Sequence, residues 1–205
     1  MRQPPAFVLT TIRTIDEVSR WFGIAATWLV LFCALLSALN AILRYSSGGF
    51  LWLQSTTGIG AFGAFYDWYS GSANGFSDAI WYMFAATVML AGAWTLKVNA
   101  HVRVDLVYGS VGGKTRTWID LLGGLFFLLP LCVLLIDVTW GWAWTSLVTG
   151  EASANTGGLP AWPAKMLLPV GFALVALQGL AEITKCILAL TTSFVREFAY
   201  EKPVQ

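Results

Sequence analysis

Charged residues are scarce in this chain. Only 11% of its 205 residues are Asp, Glu, Lys or Arg, whereas an average soluble domain has about 25%. A soluble protein with 57% hydrophobic residues could not cover its surface. The uncharged runs also far exceed the roughly 10-residue alternating segments of a membrane β-barrel. The composition therefore predicts an all-α integral membrane protein, and its net charge of +1 gives no indication of nucleic-acid binding.

Histidine and cysteine are equally scarce. His101 is the single histidine, so one copy of the chain cannot supply a bis-histidine haem site. The three cysteines lie inside apolar runs, where we interpret them as small core residues rather than disulfides or metal ligands. No Cys/His set has metal-ligand spacing. The sequence thus predicts no metal and no cofactor.

Catalytic and energy-coupling motifs are missing as well. The chain has no G-x-x-x-x-G-K-[ST] phosphate-binding loop and no recognisable nucleophile–base pair. Its apolar runs hold too few polar residues to line a substrate path. We therefore expect neither an enzyme nor an ATP-driven motor, and we do not expect the chain to transport a solute alone.

Four apolar runs are long enough to span a membrane. A hydrocarbon core of about 30 Å needs about 20 helical residues. The sequence predicts spans at about 21–44, 79–100, 118–147 and 164–189, in one membrane domain over residues 1–205.

Two further segments have different predicted roles. Residues 6–20 are amphipathic and predict a helix lying on the cytoplasmic membrane surface. Residues 45–66 are uncharged but rich in glycine, and would make a fifth span or an interfacial or re-entrant segment. A fifth span would place the later basic residues outside, so we favour the interfacial or re-entrant interpretation. Residues 67–78 are then predicted to form an outer loop.

The lysines and arginines predict the orientation. They concentrate in the N-terminus, in the loop between the second and third spans, and in the C-terminal tail. The outer segments hold only Lys165 after Arg44. By the positive-inside rule, both termini are expected in the cytoplasm.

The second predicted span ends in a charged cluster, which we call the inner cluster: Lys97, His101, Arg103 and Asp105. If the helix continues, Lys97, His101 and Asp105 stack on one face. The cluster is typical of a helix end anchored to lipid phosphates, and it is also suited to docking a partner segment.

Three other ionisable residues lie close to apolar runs. Asp137 is the acid nearest to the hydrocarbon, and its predicted position is toward the outer boundary. It is either a hydrated interface residue or a functional intramembrane carboxylate. Glu182 and Lys185, three residues apart, are predicted to form an ion pair within their helix.

Three segments carry a resemblance to a known family. WYMFAATVMLAGAWTLKVNAHVRVDLVYG (81–109), RTWIDLLGGLFFLLPLCVLL (116–135) and SANTGGLPAWPAKMLLPVGFALVALQGLAEITK (153–185) agree in order and spacing. They resemble the small, DctQ-type permease subunit of tripartite ATP-independent periplasmic (TRAP) transporters. The chain departs from the family pattern at Ile80 and Ala161, where the family often has Gln and a basic residue.

The resemblance implies a non-enzymatic subunit of the bacterial inner membrane. A periplasmic solute-binding protein would deliver an organic acid or related solute, and a large permease subunit would carry it with sodium. This chain would be the scaffold of the large subunit, with the inner cluster contacting that subunit or membrane lipids. Residues of the second outer loop would face the periplasm near the binding protein: Glu151, Asn155, Gly157, Gly158 and Trp162.

Two other functions stay open from the residues. One is the membrane anchor of a redox complex, against which the single histidine argues. The other is a small transporter acting alone, against which the sparse polar interior argues.

Overall fold

A computed structural model describes residues 3–100, 108 and 110–195. Four long helices account for most of them: α1 (Ala6–Thr57), α2 (Gly60–Lys97), α3 (Gly113–Thr149) and α4 (Trp162–Thr191). Each is long and apolar enough to cross a membrane. Within these described ranges there is no β-strand, only a single bridge between Ala152 and Pro160. The prediction of an all-α protein with four such helices is confirmed.

Helix α1 is longer than the predicted first span. Its 52 residues extend over about 78 Å at 1.5 Å per residue. The predicted surface helix over residues 6–20 is not a separate element, because these residues form the first turns of α1. Ile12 and Ser19 are buried there against the rest of the protein. A hydrogen bond from Ser19 to α4 holds this segment in the bundle.

The segment 45–66 forms the tip of a helical hairpin. α1 ends at Gly58, whose φ of 70° suits glycine, and α2 begins two residues later. The predicted outer loop over 67–78 is wrong, since these residues are helical in α2. The Ser70 and Ser77 hydroxyls bond back to carbonyls of their own helix, and the Tyr69 hydroxyl donates to Asn40 Oδ1 of α1 at 3.0 Å.

Helix α2 ends at Lys97, before the predicted end of the second span. Asn99 has a φ of 58°, a left-handed conformation that does not continue a helix. The helix does not continue through residues 98–100, so the condition on which Lys97 was predicted to stack with the later inner-cluster residues is not met there. His101, Arg103 and Asp105 lie outside the described residues.

Helix α3 contains a π-helical segment, Gly124–Leu128, just before Pro130. Proline has no N–H to donate to the preceding turn, so the regular hydrogen-bond ladder is interrupted here. The Leu129 N–H bonds instead to the carbonyl of Gly124, five residues earlier. A widened turn therefore precedes Pro130.

Small residues hold the bundle together. α1 packs along α2, α3 packs along α4, and α2 joins the two pairs through α4. A Cβ on Gly23 would lie 2.7 Å from Trp94 Cγ, and one on Gly171 would lie 2.7 Å from Met89 Cβ. Such close helix contacts are typical of membrane bundles. Many large apolar side chains point outward instead, as expected where lipid or another membrane subunit covers the surface.

Candidate functional site

Five polar side chains form a network at one end of the bundle, which we call the Asp16 cluster: Asp16, Ser19, Gln178, Glu182 and Lys185. Gln178 is fully buried and accepts a hydrogen bond from the Ser19 hydroxyl at 2.7 Å. Its amide nitrogen donates to Asp16 Oδ1 at 2.9 Å and to Glu182 Oε1 at 3.0 Å. Every polar atom of the Gln178 side chain therefore has a partner on α1 or α4.

Lys185 completes the Asp16 cluster. Its ammonium lies 2.9 Å from Asp16 Oδ1 and 2.8 Å from Glu182 Oε1. The predicted Glu182–Lys185 ion pair is confirmed, and it also includes Asp16 of α1. Because these side chains are only 11–16% exposed, salt screens their ion pairs weakly. The cluster therefore fastens the start of α1 to the end of α4.

Lys97 is the inner-cluster residue that the structure describes. Its ammonium lies 3.4 Å from the Asp16 carbonyl oxygen and 4.9 Å from the centre of the Trp94 ring. It therefore lies at the same end of the bundle as the Asp16 cluster. A cavity of about 690 Å³ opens at this end, with Arg13, Lys97 and Asp120 among its lining residues.

The loop between α3 and α4 is fastened to α2 through Asp78. This carboxylate is 7% exposed and accepts the Leu159 N–H at 3.0 Å and Asn155 Nδ2 at 3.4 Å. Asn74, one turn away on α2, donates to the Thr156 carbonyl at 2.9 Å. We call this arrangement the Asp78 clamp, because one helix holds both sides of the loop.

Two predicted loop residues are glycines for a physical reason. Gly157 has a φ of 74°, and a Cβ there would lie 2.5 Å from the Gly71 carbonyl oxygen. A Cβ on Gly158 would lie 2.5 Å from Asp78 Oδ2. Side chains at either position would push the loop away from α2.

Glu151 and Lys165 form an ion pair across the two ends of the loop. The Lys165 ammonium also lies 4.3 Å from the centre of the Trp142 ring. Its hydrogen bond lowers the pKa of the Glu151 carboxyl below the ordinary value of 4.5. The predicted loop residues Glu151, Asn155, Gly157 and Trp162 are exposed, while Gly158 is half-buried. The structure thus brings the predicted outer residues together on one loop.

No chemistry beyond binding and support is visible in the described ranges. Those residues contain no group of three His, Cys, Asp or Glu side chains able to hold a metal ion. Asp137 lies apart from both polar clusters, on the exposed face of α3.

The sequence analysis did not identify the site residues whose partners are distant in the sequence. Asp16 and Gln178 meet across 162 positions of sequence, which no local pattern reveals. One signal was present, because Gln178 is the sole strongly polar residue between Lys165 and Glu182. An isolated amide in such a run needs a buried partner.

Comparison of this chain with known proteins identified one family. Neither the curated proteins nor the solved structures contain a match to this chain. The profile of one family, described as "Tripartite ATP-independent periplasmic transporters, DctQ component", matches residues 69–189. The match includes the Asp78 clamp, α3 and nearly all of α4, and it covers more than half of the chain. DctQ is a transporter-component family and not an enzyme family. The chain belongs to the DctQ family, as a multi-pass membrane protein and the small subunit of a TRAP transporter.

Proposed function

We propose that this chain is the scaffold of the large permease subunit in a sodium-coupled TRAP transporter. The large subunit would move an organic acid or related solute, which a periplasmic binding protein delivers. The complex would lie in the inner membrane of a bacterium. This chain would bind no solute itself, and its contribution would be assembly and orientation.

One observation carries this proposal: the polar side chains of the Asp16 cluster form their hydrogen bonds and ion pairs with one another. Gln178, Asp16 and Lys185 bond to one another and to their neighbours on α1 and α4. Elsewhere the described core is built mainly from alanine, glycine and cysteine side chains. A solute path needs polar groups free to bind cargo, whereas a rigid scaffold needs polar groups that bind each other.

The charged ends support a cytoplasmic position for the Asp16 cluster. On α2, Asp78 and Lys97 are separated by about 28 Å, and on α4, Lys165 and Lys185 by about 30 Å, at 1.5 Å per residue. These lengths match a hydrocarbon core of about 30 Å. With the basic termini inside, the Asp16 cluster faces the cytoplasm and the Asp78 clamp faces the periplasm.

The two predicted contact sets then have distinct partners. Lys97, with His101, Arg103 and Asp105, would meet the large subunit or lipid headgroups on the cytoplasmic side. On the periplasmic side, the clamped loop would offer Glu151, Asn155 and Trp162 near the binding protein, while Gly157 and Gly158 let the loop lie close to α2.

The hairpin tip over 45–66 would lie at the outer membrane surface. The hydroxyls of Ser47, Ser55, Thr56 and Thr57 bond back to their own helix, with Ser55 and Thr56 both donating to the Trp52 carbonyl at 2.8 Å. Tyr45 and Trp52 are 88% and 64% exposed. Internally satisfied polar groups and exposed Tyr and Trp are typical of a lipid interface.

A reconstitution experiment tests the proposal. Liposomes would contain the large subunit with or without this chain, and the binding protein would be supplied outside with the organic acid that co-purifies with it. We expect uptake only when both membrane subunits are present and sodium is higher outside. Liposomes that contain this chain alone should show no uptake, and uptake by the chain alone would refute the scaffold role.

A further inference from the structure

Asp137 is a carboxylate that bonds to none of the residues described by the structure. It lies on the exposed face of α3 and makes no hydrogen bond or ion pair with any residue in the described ranges. Its helical neighbours Val133 and Leu134 are 64% and 57% exposed. This face of α3 therefore presents an isolated acid among exposed apolar side chains.

If Lys165 marks the outer boundary of the membrane, as proposed above, Asp137 lies inside the hydrocarbon layer. α3 and α4 run antiparallel, and the contact between Lys165 and the Trp142 ring shows which levels correspond. Asp137 precedes Trp142 by five residues, so it lies about 7 Å further toward the bundle centre. A carboxylate at this depth is costly unless a donor reaches it.

Asp137 lies at the edge of an open apolar depression on α3. A shallow groove of about 650 Å³ runs along this face and is lined by five apolar residues and Asp137: Leu125, Leu129, Pro130, Val133 and Leu134. The π-helical segment of α3 lies at the far end of the groove. One turn beyond Asp137, a Cβ on Gly141 would have no neighbour within 4 Å. A glycine with open space on a membrane helix lets a second helix approach closely.

We propose that this face of α3 docks a membrane helix of the large permease subunit, and that a Lys or Arg of that helix pairs with Asp137. The inference rests on the partnership proposed above and adds the face and the charge of the partner. The apolar groove would hold the body of the helix, and Gly141 would let the two backbones approach.

Two other possible occupants of the groove match the negative charge of Asp137 less well. A second copy of this chain, related by a twofold axis through the groove, would set one Asp137 against another. Lipid phosphates are anionic, and the short Asp side chain cannot reach far toward the headgroups as Lys and Arg do. A cationic protein helix satisfies both the groove and the carboxylate.

The test measures the affinity of the large subunit for four variants of this chain in detergent or nanodiscs. Asp137→Leu removes the charge, and Gly141→Leu fills the approach site. The matched controls are Asp67→Asn, at an exposed acid on the hairpin, and Gly48→Leu, at a helical glycine that also has open space. We expect Asp137→Leu to weaken binding about 30-fold or more, with neither control changing it.

A second measurement does not depend on any loss of binding. A photo-crosslinking amino acid in place of Leu134 is expected to join this chain to a helix of the large subunit in native membranes. Adducts only with lipid or with another copy of this chain would overturn the inference. Wild-type binding that Asp137→Leu leaves unchanged would overturn it while sparing the proposed partnership. Failure of the wild-type chain to bind the large subunit would overturn both.

Discussion

Replacing Asp78 by alanine should release the loop between α3 and α4 while leaving the bundle folded. Asp78 is 7% exposed and accepts the Leu159 N–H at 3.0 Å, whereas its bond to Asn155 is longer, at 3.4 Å. A hydrogen bond to a charged group contributes about 1.5–3 kcal/mol, and the longer bond adds little. We therefore expect Asp78→Ala to destabilise the closed loop by about 2 kcal/mol.

Hydrogen exchange followed by mass spectrometry measures this change directly. The Ser153 N–H bonds to the Leu159 carbonyl at 2.9 Å, so both residues report on the clamp. A loss of about 2 kcal/mol should speed exchange in the peptide over residues 152–160 by about 30-fold. Peptides from the centres of α2 and α4 should exchange as in the wild type.

Two further variants make this test specific. Asp78→Asn keeps an acceptor for the Leu159 N–H, so its effect should be smaller than that of alanine. Asp67→Ala removes an exposed acid from the same helix and should not change the loop. Unchanged exchange over residues 152–160 in Asp78→Ala would refute the reasoning, as would equal effects of Asp78→Ala and Asp67→Ala.

Three more predictions concern the Asp16 cluster and the loop between α3 and α4. Lys185→Met removes the ammonium that Asp16 and Glu182 share, so the free energy of unfolding should fall by about 1.5–3 kcal/mol in a detergent-based denaturation assay; an unchanged midpoint would contradict this. Gly157→Ala combines a positive φ with a clash against the Gly71 carbonyl, whereas Gly150→Ala meets the positive φ alone. Hydrogen exchange of the loop should therefore rise more in the first variant than in the second, and equal rises would show that the clash is absent. Because the pKa of Glu151 is lowered in the folded protein, its ion pair stabilises the fold fully above its ordinary value of 4.5 and less as pH falls through the lowered pKa. Thermal melts should show a smaller acid-induced loss in Glu151→Gln than in the wild type, and equal losses would contradict this.

The sequence predicted the features that depend on local composition. Long uncharged runs are sufficient for four long helices, because the bilayer leaves few alternatives for an apolar backbone. The pair Glu182 and Lys185 was predictable for the same reason, since three residues of spacing place both on one helix face.

Features set by contacts between distant residues could not be predicted in this way. The Gly- and Ser-rich stretch 67–78 is typical of a loop, yet packing against α1 and the clamped loop keeps it helical. Asp16 was predicted to lie on a surface helix because local sequence does not reveal its partner. That partner, Lys185, lies on the last helix. The end of α2 at Lys97 depends on the left-handed Asn99, which the charge pattern did not indicate.

The central claim is that this chain supports a larger permease subunit, and the most direct measurement is its purification from native membranes in mild detergent. The mass of the purified particle and the identity of its proteins would be determined by native mass spectrometry. The account predicts a stoichiometric complex with one much larger multi-pass membrane protein. Recovery of this chain alone, stable and well dispersed in several detergents, would contradict it.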